Sequence, residues 1–169
     1  MTANATWQVI YTASRQEKKV AVMLERHHIQ HYLPLVKKLR LWSDRKKWVE
    51  MPLFNGYIFV QPKPTERDQV LQIPGVVKYL KYNGQDAQLS ATEIKTIRSL
   101  IDTGFHIEQA DKENFMIGDR VVINQGPMKG IEAVIVKTME DDYTLYLNFE
   151  TIYQTIKIKT DKRILSKYK

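Results

Sequence analysis

Along the first hundred positions apolar residues come in short runs whose period switches between two and about four. Trp7 to Ala13 sets β-branched and aromatic residues close together and predicts a strand. Ser14 is a candidate cap for the helix that follows, where Val20, Ala21, Leu24 and either His27 or His28 recur at spacings of three and four within Arg15 to His28. The other side of that helix carries Arg15, Lys18, Lys19 and Arg26. Ile29 to Pro34 predicts a short second strand, and Leu35 to Glu50 a long hairpin turning near Ser43-Asp44. After Asn55-Gly56 the run Tyr57-Ile58-Phe59-Val60 is apolar throughout, which suits a strand in the middle of a sheet. Pro62 and Pro64 end it.

Thr65 to Gln72 reads as a short helix broken by Ile73-Pro74-Gly75, and Val76 to Tyr82 as a strand closed by an Asn83-Gly84 turn. Ser90-Ala91-Thr92-Glu93 fits a capping box, in which hydroxyl and carboxylate satisfy the free N–H groups of a starting helix; Ile94, Ile97 and Ile101 give that helix one apolar face. Strand, helix, several strands and helix, in that order, predict an α+β domain over residues 1–104, its helices packed on an antiparallel sheet. Residues 105–114 are polar without a clear period and are expected as a linker. Beyond them Arg120 to Ile123, Glu132 to Thr138, Tyr143 to Phe149 and Ile152 to Lys159 are strand-like, so residues 115–169 are expected to form a small β-barrel. Val, Ile, Tyr and Thr crowd these segments and favour a barrel that stays a barrel.

Composition narrows the function classes. The 169 residues are 43% apolar and 27% charged, ordinary for a folded chain. With no Cys there can be no disulfide, thiolate zinc site, iron–sulfur cluster or cysteine nucleophile. The charge-free stretches are too short to cross a bilayer and the start lacks the pattern of a signal peptide, so a cytoplasmic protein with no membrane partner is expected, a monomer by default. Net charge is +7, and all of the excess lies early: residues 1–104 hold 16 Lys and Arg against 9 Asp and Glu, whereas residues 105–169 hold 10 of each. The first part is thus suited to a polyanion and the second to a different partner.

Catalytic chemistry finds little support. The sequence has no Walker loop, GxGxxG, HExxH or GxSxG motif, and neither an enzyme nor a cofactor is expected. His27, His28 and His31 lack a completing carboxylate, and Asp141-Asp142 fits a turn between strands. Two constellations remain. The hairpin carries Lys37, Lys38, Arg40, Arg45, Lys46 and Lys47 with Trp42 and Trp48, so its cations could meet phosphates while an indole stacks on an unpaired base; it could equally be a solvated hairpin with its Trp residues packed on the sheet. Tyr11, Phe54, Phe59, Tyr79 and Tyr82 come from different segments, and they are either core or the anchor for a protein partner.

Trp7 to Tyr11, Arg15-Gln16-Glu17-Lys18-Lys19-Val20-Ala21, Pro52-Leu53-Phe54-Asn55-Gly56-Tyr57-Ile58-Phe59-Val60 and Ile73-Pro74-Gly75-Val76-Val77 together resemble the N-terminal (NGN) domain of NusG-type transcription elongation and antitermination factors. Ile117-Gly118-Asp119-Arg120-Val121 and Gly126-Pro127-Met128-Lys129-Gly130 resemble the SH3-like KOW module that follows it in that family. Trp42 to Glu50 followed by Pro52-Leu53-Phe54 looks most like its specialised paralogues of the RfaH and UpxY type, the latter serving capsular-polysaccharide operons.

The resemblance implies a non-enzymatic regulator that suppresses pausing or termination. Tyr11, Phe54, Phe59, Tyr79 and Tyr82 match the apolar patch that binds the clamp helices of the largest RNA polymerase subunit. It implies that Arg15, Lys18 and Lys19 approach the non-template DNA strand, and that the hairpin residues Lys37, Lys38, Arg40, Trp42, Arg45, Lys46 and Lys47 approach upstream DNA or the opposite polymerase lobe. The KOW barrel would recruit a small-subunit ribosomal protein or a termination factor. The alternative is an RNA-binding or ribosome-associated KOW protein in which the basic hairpin does the main work.

Overall fold

The computed structural model describes residues 6–102, 107–109, 120–123, 129–139, 142–161 and 165–167. The chain divides into two compact units, residues 1–94 and 95–169.

In the first unit, strand β1 (Trp7–Thr12) is the hub. It pairs antiparallel with β5 (Tyr57–Val60) on one side, and on the other with β6 (Val76–Tyr79) and, nearer its start, β9 (Gln88–Leu89). The short β2 (His31–Tyr32) adds to β5, which places that wholly apolar strand inside the sheet, as its lack of alternation predicts. Residues directly opposite across an antiparallel pair share a face. Ile10, Ile58, Val60 and Tyr79 are on one face and form a core with Val20 and Leu24 of helix α1 (Glu17–Arg26), Ile29, and Val70 of helix α2 (Arg67–Gln72). Val9 and Phe59, opposite one another, are on the other face.

Local chemistry sets the ends of these elements. Ser14 does not cap α1: Arg15 is in the left-handed region at φ 62°, Gln16 takes the N-cap position without a side-chain bond, and its N–H donates to the Ala13 carbonyl at 3.1 Å. At the other end His28 is left-handed, and the N–H groups of His28 and Ile29 donate back to the carbonyls of Glu25 and Leu24, both at 2.9 Å, the pattern of a Schellman termination with Ile29 buried behind it. A short 3-10 turn (Pro64–Glu66) leads into α2.

The hairpin is a separate ribbon of β3 (Leu35–Leu41) and β4 (Lys46–Pro52), its turn at Trp42 to Arg45. The strand expected from Val76 to Tyr82 breaks after Tyr79, and β7 (Lys81–Tyr82) pairs with β8 (Gln85–Asp86) around Asn83-Gly84, both at positive φ as a tight hairpin turn requires. Ser90 and Glu93 form the expected capping box, Ser90 N–H to Glu93 Oε2 at 2.8 Å and Glu93 N–H to Ser90 Oγ at 3.2 Å. Helix α3 (Ala91–Asp102) follows, with Ile94, Ile97 and Leu100 buried.

Apart from residues 95–102 of α3 and a 3-10 turn (Glu150–Ile152), the described part of the second unit is a six-stranded antiparallel sheet. Strands β11 (Arg120–Ile123), β12 (Glu132–Met139), β13 (Asp142–Phe149) and β14 (Gln154–Asp161) follow one another as a meander, close to the expected segments. β15 (Leu165–Lys167) adds to β11. β10 (Ile107–Gln109), within the stretch expected as a linker, adds to β14 with Ile107 opposite Ile158. Leu147, Phe149, Ile152, Ile156 and Ile158 are buried. Most of the KOW-like motif, Ile117-Gly118-Asp119 and Gly126-Pro127-Met128, lies outside the described residues, as does Asp141. Among the described residues no helix is long and apolar enough to cross a membrane.

Candidate nucleic-acid interface

In the first unit the basic start of α1 adjoins the base of the cation-rich hairpin. Lys18 and Lys19 are exposed in the first turn of α1, directly after the exposed, left-handed Arg15. An open cleft of about 750 Å³ beside them is lined by the apolar Val22, Met23 and Pro74 and by the cations Lys18, Lys19 and Arg26. Gly75 keeps α1 close. At φ 96° it favours glycine, and a Cβ there would stand 2.9 Å from a Val20 methyl.

Lys18 reaches further: its Nζ donates to the Glu50 main-chain carbonyl in β4 at 2.8 Å. That bond between residues 32 apart brings the base of the hairpin to the basic side of α1. Sequence spacing gives no sign of it. In the hairpin Lys37, Arg40, Trp42, Arg45, Lys46 and Lys47 are exposed and Lys38 is half-buried. All ten residues expected to meet nucleic acid therefore lie on α1, its approach or the adjoining ribbon. Exposed cations in one tract attract a polyanion far more than scattered ones do.

The aromatic set is not one surface. Phe54 and Phe59 have no exposed area and meet edge to face at 6.0 Å, and Tyr32 stacks on Phe59 at 6.2 Å. Tyr79 is opposite Ile10, on the helix-covered face. The expectation that these three rings face outward is corrected: alternation along β5 and β6 turns Phe59 and Tyr79 to opposite faces of the sheet, and packing covers both. Tyr82 is half-buried in β7. Tyr11 is 40% exposed.

Tyr11 stands edge-on to Tyr57 at 5.8 Å, and Gly56 (φ 79°) makes room for it, since a Cβ there would come within 2.9 Å of the Tyr11 ring. The Gly56 turn is held from below by the buried Glu17, whose Oε1 accepts the Gly56 N–H at 2.8 Å. Tyr57 escaped the sequence reading, although period two from Phe59 leads straight to it.

Arg67 supports the far side of the sheet. Its guanidinium lies 4.1 Å from the Tyr79 ring centroid and pairs with Asp86, which Lys81 also holds. Burial pushes the Asp86 carboxyl up, but the hydrogen bond from Lys81 and the charges of Arg67 and Lys81 outweigh it and hold the group below its ordinary value. Burial pushes the Tyr79 phenol up to about 12, against a smaller opposing effect of Arg67. The histidines disperse: His27 meets Gln69 at 3.0 Å, while His31 Nδ1 lies 3.0 Å from the Ile29 carbonyl. Among the described residues no three His, Asp or Glu side chains gather as a metal site would need.

Comparison with known proteins adds to this geometry. The family described as NusG, transcription termination factor nusG, matches residues 5–98, more than half of the chain. A solved structure of Thermotoga maritima NusG, concerned with domain interaction in that protein, aligns over 97% of each chain at 21% identity with a TM-score of 0.61, a likeness of fold. A chain of the MjSpt4:Spt5 complex in conformation B aligns over 95% of each chain at 18% identity, but its TM-score of 0.32 is too low to bear on the fold. The matched span takes in β1, α1, the hairpin and β5, which carry both the basic tract and the Tyr11–Tyr57 pair, and by that match the chain belongs to the NusG family of transcription factors.

Proposed function

We propose that the protein is a non-enzymatic transcription elongation regulator that rides on RNA polymerase, holds nucleic acid along the basic side of its first unit, and suppresses pausing or termination. The observation that carries this reading is the Lys18–Glu50 bond, which brings the basic first turn of α1 to the base of the cation-rich hairpin in a chain of the NusG family. Along that surface Arg15, Lys18 and Lys19 meet the non-template strand, and the hairpin meets upstream DNA. Tyr11, exposed on Tyr57, is the centre of the contact with the polymerase clamp helices, with Tyr82 flanking it; Phe54 and Phe59 act as buried support. The six-stranded sheet of the second unit, in a stretch (105–169) balanced in charge, is read as a KOW barrel that recruits a protein such as a ribosomal protein or a termination factor. Its service on one operon, such as one for surface polysaccharide, follows from the paralogue-like Trp42 to Glu50 stretch.

Transcription of a template carrying a pause or terminator, with purified polymerase and the full chain, tests this reading. Wild type should shorten the pause or raise read-through, and Lys18→Ala/Lys19→Ala should lose much of the effect. No change with wild type at saturating concentration would refute the proposal.

A further inference from the structure

The hairpin combines its charge with exposed apolar area. Register puts Leu39 opposite Trp48, with the pairs Lys37–Glu50 and Leu41–Lys46 on the same face, and Lys38–Val49 and Arg40–Lys47 on the other. On the first face Leu39 is 47% exposed, Trp48 65% and Leu41 75%. An exposed indole opposite Leu39 and diagonal to Leu41, with Lys37 and Lys46 at the flanking positions of the same face, is a small apolar ridge set between cations. A ribbon of two strands gains little stability by keeping such residues in water, where polar ones would serve its pairing as well.

We propose that the Leu39–Leu41–Trp48 ridge is a stacking platform for unpaired thymine bases of single-stranded DNA, whose phosphates are held by Lys37 and Lys46 on the same face. This rests on the reading of the basic side as a nucleic-acid surface. Six cations in the ribbon, against Asp44 and Glu50, match a polyanion. An indole face stacks on a base only when the base is unpaired, because a duplex presents base edges and hides the faces. The aliphatic neighbours favour thymine, whose methyl group they can meet and which uracil lacks.

The test uses the full chain and a labelled oligothymidine of about 12 nucleotides, within the usual site size for single strands, beside oligouridine of the same length and a duplex. Trp48→Ala should weaken oligothymidine binding about five- to 150-fold, the loss of one stacked base, and Trp48→Phe should recover most of it. Wild type should prefer oligothymidine to both competitors. Since Trp48 is largely exposed, the melting temperature should barely move. If Trp48→Ala binds as wild type while Lys37→Ala/Lys46→Ala weakens, the platform is refuted and the basic surface stands; if neither variant changes binding, both fall. Equal binding of the duplex, or tighter binding of oligouridine, also overturns the proposal. So does a ridge whose truncation matters only for a protein partner.

Discussion

Tyr79 shows how one side chain can belong to the core and still report on charge. Its ring is buried against Ile10 and the α2 side of the sheet, its hydroxyl donates to the Arg67 carbonyl at 3.3 Å, and a guanidinium lies over its face. A folded-state pKa near 12 against an ordinary 10.0 means that the unfolded chain gives up this proton first. The stabilisation is therefore complete below pH 10 and is lost as pH rises towards 12. Tyr79→Phe should cost about 1 kcal/mol at neutral pH for the lost hydrogen bond. It should also flatten the alkaline fall in stability relative to wild type, read from urea midpoints across that range. A parallel alkaline fall in both proteins would show that the phenol is not protected as described. Which rings are buried was the least legible feature of the chain. Period two in Tyr57-Ile58-Phe59-Val60 says that Phe59 and Ile58 face opposite ways, but not that Tyr32 and Phe54 cover Phe59. That cover comes from residues 27 and 5 positions away.

At the scale of elements, more of the fold is legible in the sequence. The hairpin, the inner strand β5, the Asn83-Gly84 turn, the capping box of α3 and the meander β11 to β14 rest on local signals, namely alternation, turn residues and a hydroxyl–carboxylate pair three apart. The start of α1 was misread because Ser14 looks like a cap, whereas the left-handed turn at Arg15 moves the first helical residue to Glu17, where its carboxylate can reach Gly56. β10 was missed because three residues are too few to show a period; its place comes from pairing with β14. The two-faced hairpin carries its own prediction. Replacing Arg40, Lys46 and Lys47 by Ala should lower the log–log salt slope of single-strand binding by at most about 2 units, at roughly 0.7 per phosphate contact, with stability unchanged because all three are exposed. An unchanged slope would make these cations ordinary solvated surface.

At the scale of the whole molecule, the charge asymmetry of the sequence acquires a location. The early excess of Lys and Arg includes the cations of α1 and of the hairpin whose base the Lys18–Glu50 bond holds to α1, while residues 105–169 are neutral overall. The proposed polymerase contact falls on Tyr11, an exposed ring on a fixed base, while Phe54, Phe59 and Tyr79 are buried and serve the fold. The two roles are separable. Phe59→Ala should cost about 3–5 kcal/mol of stability, as removal of a fully buried aromatic does. Tyr11→Asp should cost about 1–2 kcal/mol, much less than Phe59→Ala, leaving a folded protein whose main loss is partner binding. The most direct measurement is binding of the full chain to a purified RNA polymerase elongation complex, by co-sedimentation, for wild type and Tyr11→Asp. The account predicts that wild type is retained and that a folded Tyr11→Asp protein is lost. Failure of wild type to bind, or retention of Tyr11→Asp at wild-type affinity, would contradict it.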